Sequence, residues 1–334
     1  MYRDATLLAI ACIFWGLLGL FVKILYKYLT PLIIAFTRTL CTLIFVLIVI
    51  FYLVLRSKYS RIEIIQYLNS ASRFRFGNFL LNNYVIHVMA GILGFGIAIP
   101  EFFMSLQEVG VFITYTVGLG LYPVILIILE VYIAKEEYLT KDKIVWASSL
   151  IIAITTASMI YEFKIGSIVH AVIFSISWSL YVWLISRLTK LEIHHLNIEF
   201  TDLALTTFSG LFFMYFLGTY IYDVRVLPGI EDALIIVKNV NVLAVFLIVI
   251  ILCTLTPYMI VYTVIPKNPE NSFWLAIFQY LEIFLNIVIG LVLLKEFTLT
   301  FQNLLLLITS VIFFIVSMIY RYREITIRKL LKTV

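Results

Sequence analysis

Residues 121–140 read LYPVILIILEVYIAKEEYLT, and residues 281–300 read LEIFLNIVIGLVLLKEFTLT. Each is a long apolar run closed by Lys-Glu-x-x-Leu-Thr: Lys135, Glu136, Leu139 and Thr140 in the first, Lys295, Glu296, Leu299 and Thr300 in the second. Aligned without a gap at an offset of 160 residues, the windows agree at six positions, four of them in the polar tail. Shared Leu and Ile carry little weight in so apolar a chain. A shared charged pair and Leu-Thr in one register carry more. Tandem halves in a membrane protein are the usual architecture of secondary transporters.

The rest of the chain supplies the membrane. Its mean hydropathy is +1.09, with 63% hydrophobic and only 13% charged residues over 334 positions. No single protein core absorbs that much apolar surface, so lipid is the solvent for most of it. A helix needs about 20 apolar residues to cross a hydrocarbon core of about 30 Å. Ten segments qualify: 7–25, 31–55, 84–104, 111–133, 144–160, 166–186, 203–222, 242–264, 272–294 and 301–320. The short alternating strands of an outer-membrane barrel do not occur. The expected class is an all-α polytopic membrane protein. Span 1 has no small-residue cleavage site behind it and runs on to Lys27 and Pro31, so it reads as a retained helix.

Lys and Arg set the orientation. With the N-terminus inside, the inner segments hold 17 basic residues and the outer ones five: Lys27, Lys164, Arg225, Lys238 and Lys295. That bias predicts a multi-pass protein of the plasma membrane with both termini cytoplasmic. It also accounts for the net charge of +5 without a nucleic-acid partner. Cys12, Cys41 and Cys253 fall inside spans with no Cys-x-x-Cys spacing, so neither a disulfide framework nor a zinc site is indicated. Residues 56–83 form a basic inner segment with interleaved aromatics, which reads as interfacial and held by anionic lipid. His194 and His195 sit in an inner loop with Glu192 and Glu199 and read as solvated rather than metal-binding.

The repeat extends past its tails. Trp15 and Trp178 stand 163 residues apart, both early in the first helix of a five-helix half. Five is odd, so the halves, 1–163 and 164–334, enter the membrane in opposite directions. The expected architecture is ten transmembrane helices in two inverted five-helix repeats.

Here the chain resembles a known family. Ile13-Phe14-Trp15-Gly16, Val22-Lys23, Pro31 and Ala35-Phe36-Thr37-Arg38-Thr39-Leu40 resemble the start of an EamA domain, the repeat unit of the drug/metabolite transporter superfamily. The window Leu121-Tyr122-Pro123 through Lys135-Glu136 and Leu139-Thr140 is similar to that family's fourth helix and following loop. The resemblance implies a permease that moves small metabolites, often outward, with membrane lipid around it. The second copy has Ile283 where the family usually has proline, which predicts a helix 9 less kinked than helix 4.

Ionisable groups within a span are costly and face a cavity or a partner. Glu282 lies ten residues into span 9, roughly 15 Å at a rise of about 1.5 Å per residue, near the midplane. Gln279, Glu282, Asn286 and Gly290 are three, four and four residues apart and form one polar stripe. Two readings are open: a hydrogen-bonded network that holds the bundle, and a site where Glu282 binds a substrate amine or a coupling proton. Tyr122, Trp15 and Trp178 are candidate stacking surfaces, with packing as the other reading. Lys23, Arg38 and Glu101 form a candidate outer charge cluster, either an Arg38–Glu101 ion pair or an anion site built by Lys23 and Arg38. Gly118, Gly120, Pro100, Pro123 and Pro257 mark either close helix packing or helix breaks that line a site. Glu130, near the inner end of span 4, is within reach of Lys135.

The leading expectation is therefore a secondary permease that works by alternating access, coupled to protons or to exchange. No Gly-rich phosphate loop is present for direct ATP drive, and no cofactor or metal is expected. The alternatives are a membrane-embedded transferase, which needs clustered carboxylates or histidines that the chain lacks, and a channel or sensor. Monomer and homodimer are both open.

Overall fold

The structure, a computed structural model, describes residues 2–56, 61–76, 79–134, 139–160, 165–188, 198–267, 270–296, 298 and 300–332. Lys135 and Glu136 of the first tail, and the pair His194 and His195, lie outside the described residues. Four long helices come first: α1 (Arg3–Leu25), α2 (Pro31–Leu55), α3 (Asn83–Glu108) and α4 (Gly110–Ile133). An 18-residue helix, α5 (Lys141–Ser158), follows. The chain continues with α6 (Ile168–Ser186), α7 (Glu199–Ile221), α8 (Val240–Val264), α9 (Trp274–Leu293) and α10 (Phe301–Arg323). Among the described residues nine of these, all but α5, are long and apolar enough to cross a membrane.

The segment expected as the fifth span coincides with α5, but Lys141, Asp142 and Lys143 occupy its first turn and leave 144–158 as its apolar part. The Thr140 hydroxyl caps that turn, accepting from Lys143 N at 3.2 Å. α5 lies along α10: Ser310 donates to the Ala153 carbonyl at 2.8 Å and Ser317 to the Trp146 carbonyl at 3.3 Å. Residues 56–83 depart from a plain interfacial segment. They hold a short helix, Arg61–Asn69, and an antiparallel hairpin of β1 (Ala71–Phe76) and β2 (Phe79–Asn82). The alternation Arg73-Phe74-Arg75-Phe76 has the period of two that suits a strand.

Two of the expected helix breaks are present. In α3 a π-helical stretch, Ile92–Ala98, precedes the α-helix that holds Pro100. In α8 the same occurs over Ile251–Leu255, just ahead of Pro257. Proline offers no N–H and crowds the carbonyl four residues back. Those carbonyls, of Gly96 and Cys253, lie inside the widened turns, which accommodates each ring without ending the helix. Pro123 instead sits within an unbroken α-helix, Gly110–Ile128. Gly118 and Gly120 serve packing: a Cβ there would come within 2.6 Å of Phe174 and 2.8 Å of Ile154.

A close helix crossing joins α3 to α7. A Cβ on Gly91 would lie 2.4 Å from the Thr206 carbonyl oxygen, and one on Gly210 would lie 2.8 Å from the Gly91 carbonyl oxygen. Backbone atoms cannot rotate aside. Gly91→Val is thus expected to destabilise the fold by ~1–3 kcal/mol, the usual cost of overpacking, seen as a lowered thermal midpoint in detergent. An unchanged midpoint would show that these helices slide freely.

The two windows that opened the sequence end alike. α4 finishes in a π-turn over Leu129–Ile133 and α9 in one over Ile289–Leu293, the same 160-residue offset. Ala134 N donates to Leu129 O at 2.8 Å, and Leu294 N to Ile289 O at 2.9 Å.

Candidate functional site

The polar stripe of α9 divides. Gln279 and Glu282 reach a cavity that is also lined by Trp15, Arg38, Trp178 and Tyr258. Asn286 does not; its amide donates to the Glu282 carbonyl at 2.7 Å, and it lies beside Gly16 and Gly19 of α1. Those glycines let α1 and α9 approach, since a Cβ on Gly16 would fall 2.9 Å from Leu285. Asn286 therefore serves the helix contact, while the two residues above it face the cavity.

Aromatic rings form most of the wall. Trp15 meets Trp178 edge-on with centroids 5.2 Å apart and Tyr258 at 5.5 Å. Phe102 and Phe174 approach to 4.9 Å. Tyr122 is buried but is not among the lining residues; its carbonyl accepts from Ser179 at 3.4 Å. Tyr115 does line the cavity, and its hydroxyl enters the backbone of α1. It donates to the Trp15 carbonyl at 2.7 Å and accepts from Gly19 N at 3.2 Å. Those two groups are the partners of one i→i+4 bond, so a side chain is inserted into the ladder of α1 beside the cavity.

The charges are the unusual part. Arg38 is 2% exposed and Glu282 2%, so both are withdrawn from water. Among the described residues neither makes an ion pair. The Arg38 guanidinium lies 5.2 Å from the centre of the Phe103 ring and its Nε has no hydrogen-bond partner. Glu282 is in hydrogen-bonding contact with the Cys12 thiol, and its Oε1 has no partner. Both polar atoms of the Gln279 amide and the Trp178 indole nitrogen are likewise unpartnered. Buried polar groups are normally satisfied. The Arg38 guanidinium also meets the Tyr258 hydroxyl, so what stays open around the cavity is Arg38 Nε, Glu282 Oε1, the Gln279 amide and the Trp178 indole nitrogen, and a ligand with matching groups would complete them.

The expected outer charge cluster does not assemble. Arg38 turns to the cavity instead of pairing with Glu101. Glu101 takes His170, with Oε2 2.6 Å from Nδ1, and accepts a hydrogen bond from Tyr222. Lys23 pairs with Glu296 at 3.6 Å. Depth along a helix tells which charges need partners, but several partners at similar depth compete, and the sequence does not rank them. Glu130 pairs with Arg187 of the segment after α6, at 2.7 Å, while Lys135, expected within its reach, lies outside the described residues.

Glu296, from the repeated tail, does more than mark a helix end. Its two oxygens accept from Val111 N at 2.8 Å and Phe112 N at 3.0 Å, the first turn of α4. Gly110 precedes them with φ of +86°, and a Cβ there would come within 2.8 Å of the Glu296 carboxylate. The tail thus straps α9 to the start of α4 and to Lys23 of α1. Glu296→Ala leaves two helix-terminal N–H groups without an acceptor, and is expected to cost about 1–3 kcal/mol in thermal or denaturant unfolding. A variant as stable as the parent would reduce the strap to an incidental contact.

A buried pair that the sequence did not flag joins α3 to α7. His87 Nε2 lies 3.0 Å from Asp202 Oδ1, both fully buried, with the Tyr67 hydroxyl 3.3 Å from the same nitrogen. Asp202 was overlooked because it stands one residue ahead of the apolar segment expected at 203–222, although it lies within α7. Tyr115 and Tyr258 were missed for a different reason. In a chain with 21 tyrosines, no local signal separates one that faces a cavity from one that packs.

Residues 4–160 match the EamA-like transporter family. No curated protein matches the chain significantly in sequence. A solved structure described only as "Crystal structure of protein" aligns over 97% of this chain and 99% of its own, with a TM-score of 0.59 at 9% identity. That likeness concerns the fold alone.

Proposed function

We propose, from the match of residues 4–160 to the EamA-like transporter family, that this multi-pass membrane protein is a secondary permease for small zwitterionic solutes. The observation that carries the solute class is the pair Arg38 and Glu282, both lining one aromatic-walled cavity and not paired with each other. A solute with a carboxylate or phosphate for Arg38 and an ammonium group for Glu282 satisfies both charges at once. Gln279 supplies a donor and an acceptor, and the indole and phenol rings take the remaining surface.

Alternating access between two inverted five-helix units, 1–163 and 164–334, is the transport mode this reading entails. The matched π-turn ends of α4 and α9, at the offset of the sequence repeat, support it, with α5 as the tenth span. The termini lie in the cytoplasm by the distribution of Lys and Arg.

A thermal-shift panel on the purified protein tests the solute class. Free amino acids are expected to raise the unfolding midpoint, while the N-acetylated or carboxamide forms of the same compounds are not. If the blocked forms stabilise as well as the free ones, the two charges of the cavity do not select the solute.

A further inference from the structure

His170 stands near the start of α6 with 19% of its side chain exposed, and its two ring nitrogens both face carboxylates. Nδ1 lies 2.6 Å from Glu101 Oε2 and Nε2 lies 3.6 Å from Glu108 Oε1. A neutral imidazole carries one N–H and one lone pair, so it satisfies one of these acceptors and repels the other. The imidazolium has an N–H for each. Among the described residues, the groups facing His170 are Glu101 and Glu108 of α3 and, through Glu101, the Tyr222 hydroxyl just beyond α7. The N-terminal end of α6 opposes a cation there, against two carboxylates that favour it.

His87, fully buried, has a different setting. It has Asp202 and Tyr67 on Nε2, while Nδ1 has no hydrogen-bond partner.

The position of His170 relative to the cavity gives the proton a consequence. Glu101 is followed by Phe102, and Phe174 lies one helical turn after His170. Phe102 and Phe174 both line the cavity and touch with centroids 4.9 Å apart. The carboxylate–imidazole contact therefore holds together the same two helices whose rings close this part of the cavity.

We propose that Glu101, His170 and Glu108 form a proton-binding latch, whose proton ties α3 to α6 and keeps Phe102 against Phe174. When the proton leaves His170, the ring retains one N–H, one carboxylate faces a lone pair, and the tie between the helices weakens. That the opened gap admits solute rests on the permease reading; the proton site and the closure do not.

Two measurements without any solute test it. In nanodiscs, ¹⁵N-histidine NMR, with the His170 signal assigned by its loss in H170Q, is expected to show proton affinity at least ~10-fold weaker in E101Q than in the parent. E108Q, whose carboxylate is farther away and more exposed, should give a smaller change of the same sign. At a single pH, Phe174→Cys is expected to react with a membrane-impermeant maleimide several-fold faster when combined with H170Q than with His170 present. Labelling of the parent's three native cysteines is subtracted. Equal His170 titration in the parent, E101Q and E108Q overturns the proton site. Equal labelling rates overturn the latch. Because neither readout involves transport, a failure to find any zwitterionic solute would strike the permease reading and leave these two results standing.

Discussion

Glu282→Gln is expected to weaken solute binding and transport by at least ~30-fold, while the protein inserts and unfolds much as the parent does. The carboxylate is 2% exposed with one oxygen unpartnered, so the fold gains little from its charge. A bound ammonium group, by contrast, would lose its counter-charge at a position withdrawn from solvent. Removing one member of such a pair costs about 2–5 kcal/mol, and about 1.4 kcal/mol is a factor of ten. Glutamine keeps the shape and the contact with Cys12, so packing is not the variable. Arg38→Gln should act in parallel and lose discrimination for the anionic group of the solute. A Glu282→Gln protein that binds and transports normally would reassign the α9 stripe to helix packing, as Asn286 already is.

The largest stability effect is expected at the opposite kind of site, where both charges are already paired. Arg187→Ala should destabilise the protein by ~3–5 kcal/mol, because it removes the cation that pairs with the buried Glu130 carboxylate. The two lie 2.7 Å apart with side-chain exposures of 5% and 7%, and the guanidinium also stacks 5.2 Å from the Trp183 ring centre. The double change Arg187→Met with Glu130→Gln should recover most of the loss, since an apolar replacement removes the uncompensated charge. Denaturant unfolding in micelles reads both. If the single and double variants unfold alike, the pair contributes little, and the Arg187 stem contact with Trp183 matters more than its charge.

The contrast between these sites shows what the residue order made readable. Helices came from apolar run length alone, and among the described residues nine of the ten expected segments are long, apolar helices. The tenth, α5, is shortened by Lys141, Asp142 and Lys143, a boundary effect that run length does not capture. Glu282 and Gln279 were legible as midplane polar residues because depth along one helix is a local property. Their partner across the cavity was not. Arg38 belongs to α2, and its distance to Glu101 or to Glu282 depends on how α2, α3 and α9 turn about their own axes. Small-residue contacts such as Gly91 with Thr206 set those rotations, and they act between segments more than 100 residues apart in the chain. The repeated Lys-Glu tail was legible as a repeat, yet its role as an acceptor for Val111 and Phe112 required α4 and α9 to be brought side by side.

The account turns on one claim: that a zwitterionic solute is carried between Arg38 and Glu282 as the cavity opens to one side and then the other. Entrance counterflow in proteoliposomes tests it most directly, with vesicles preloaded with unlabelled amino acids and a labelled tracer of the same compounds outside. The account predicts a transient rise of internal tracer above its outside concentration, absent from Glu282→Gln vesicles. Tracer that only equilibrates, or that overshoots equally in the Glu282→Gln protein, would contradict it.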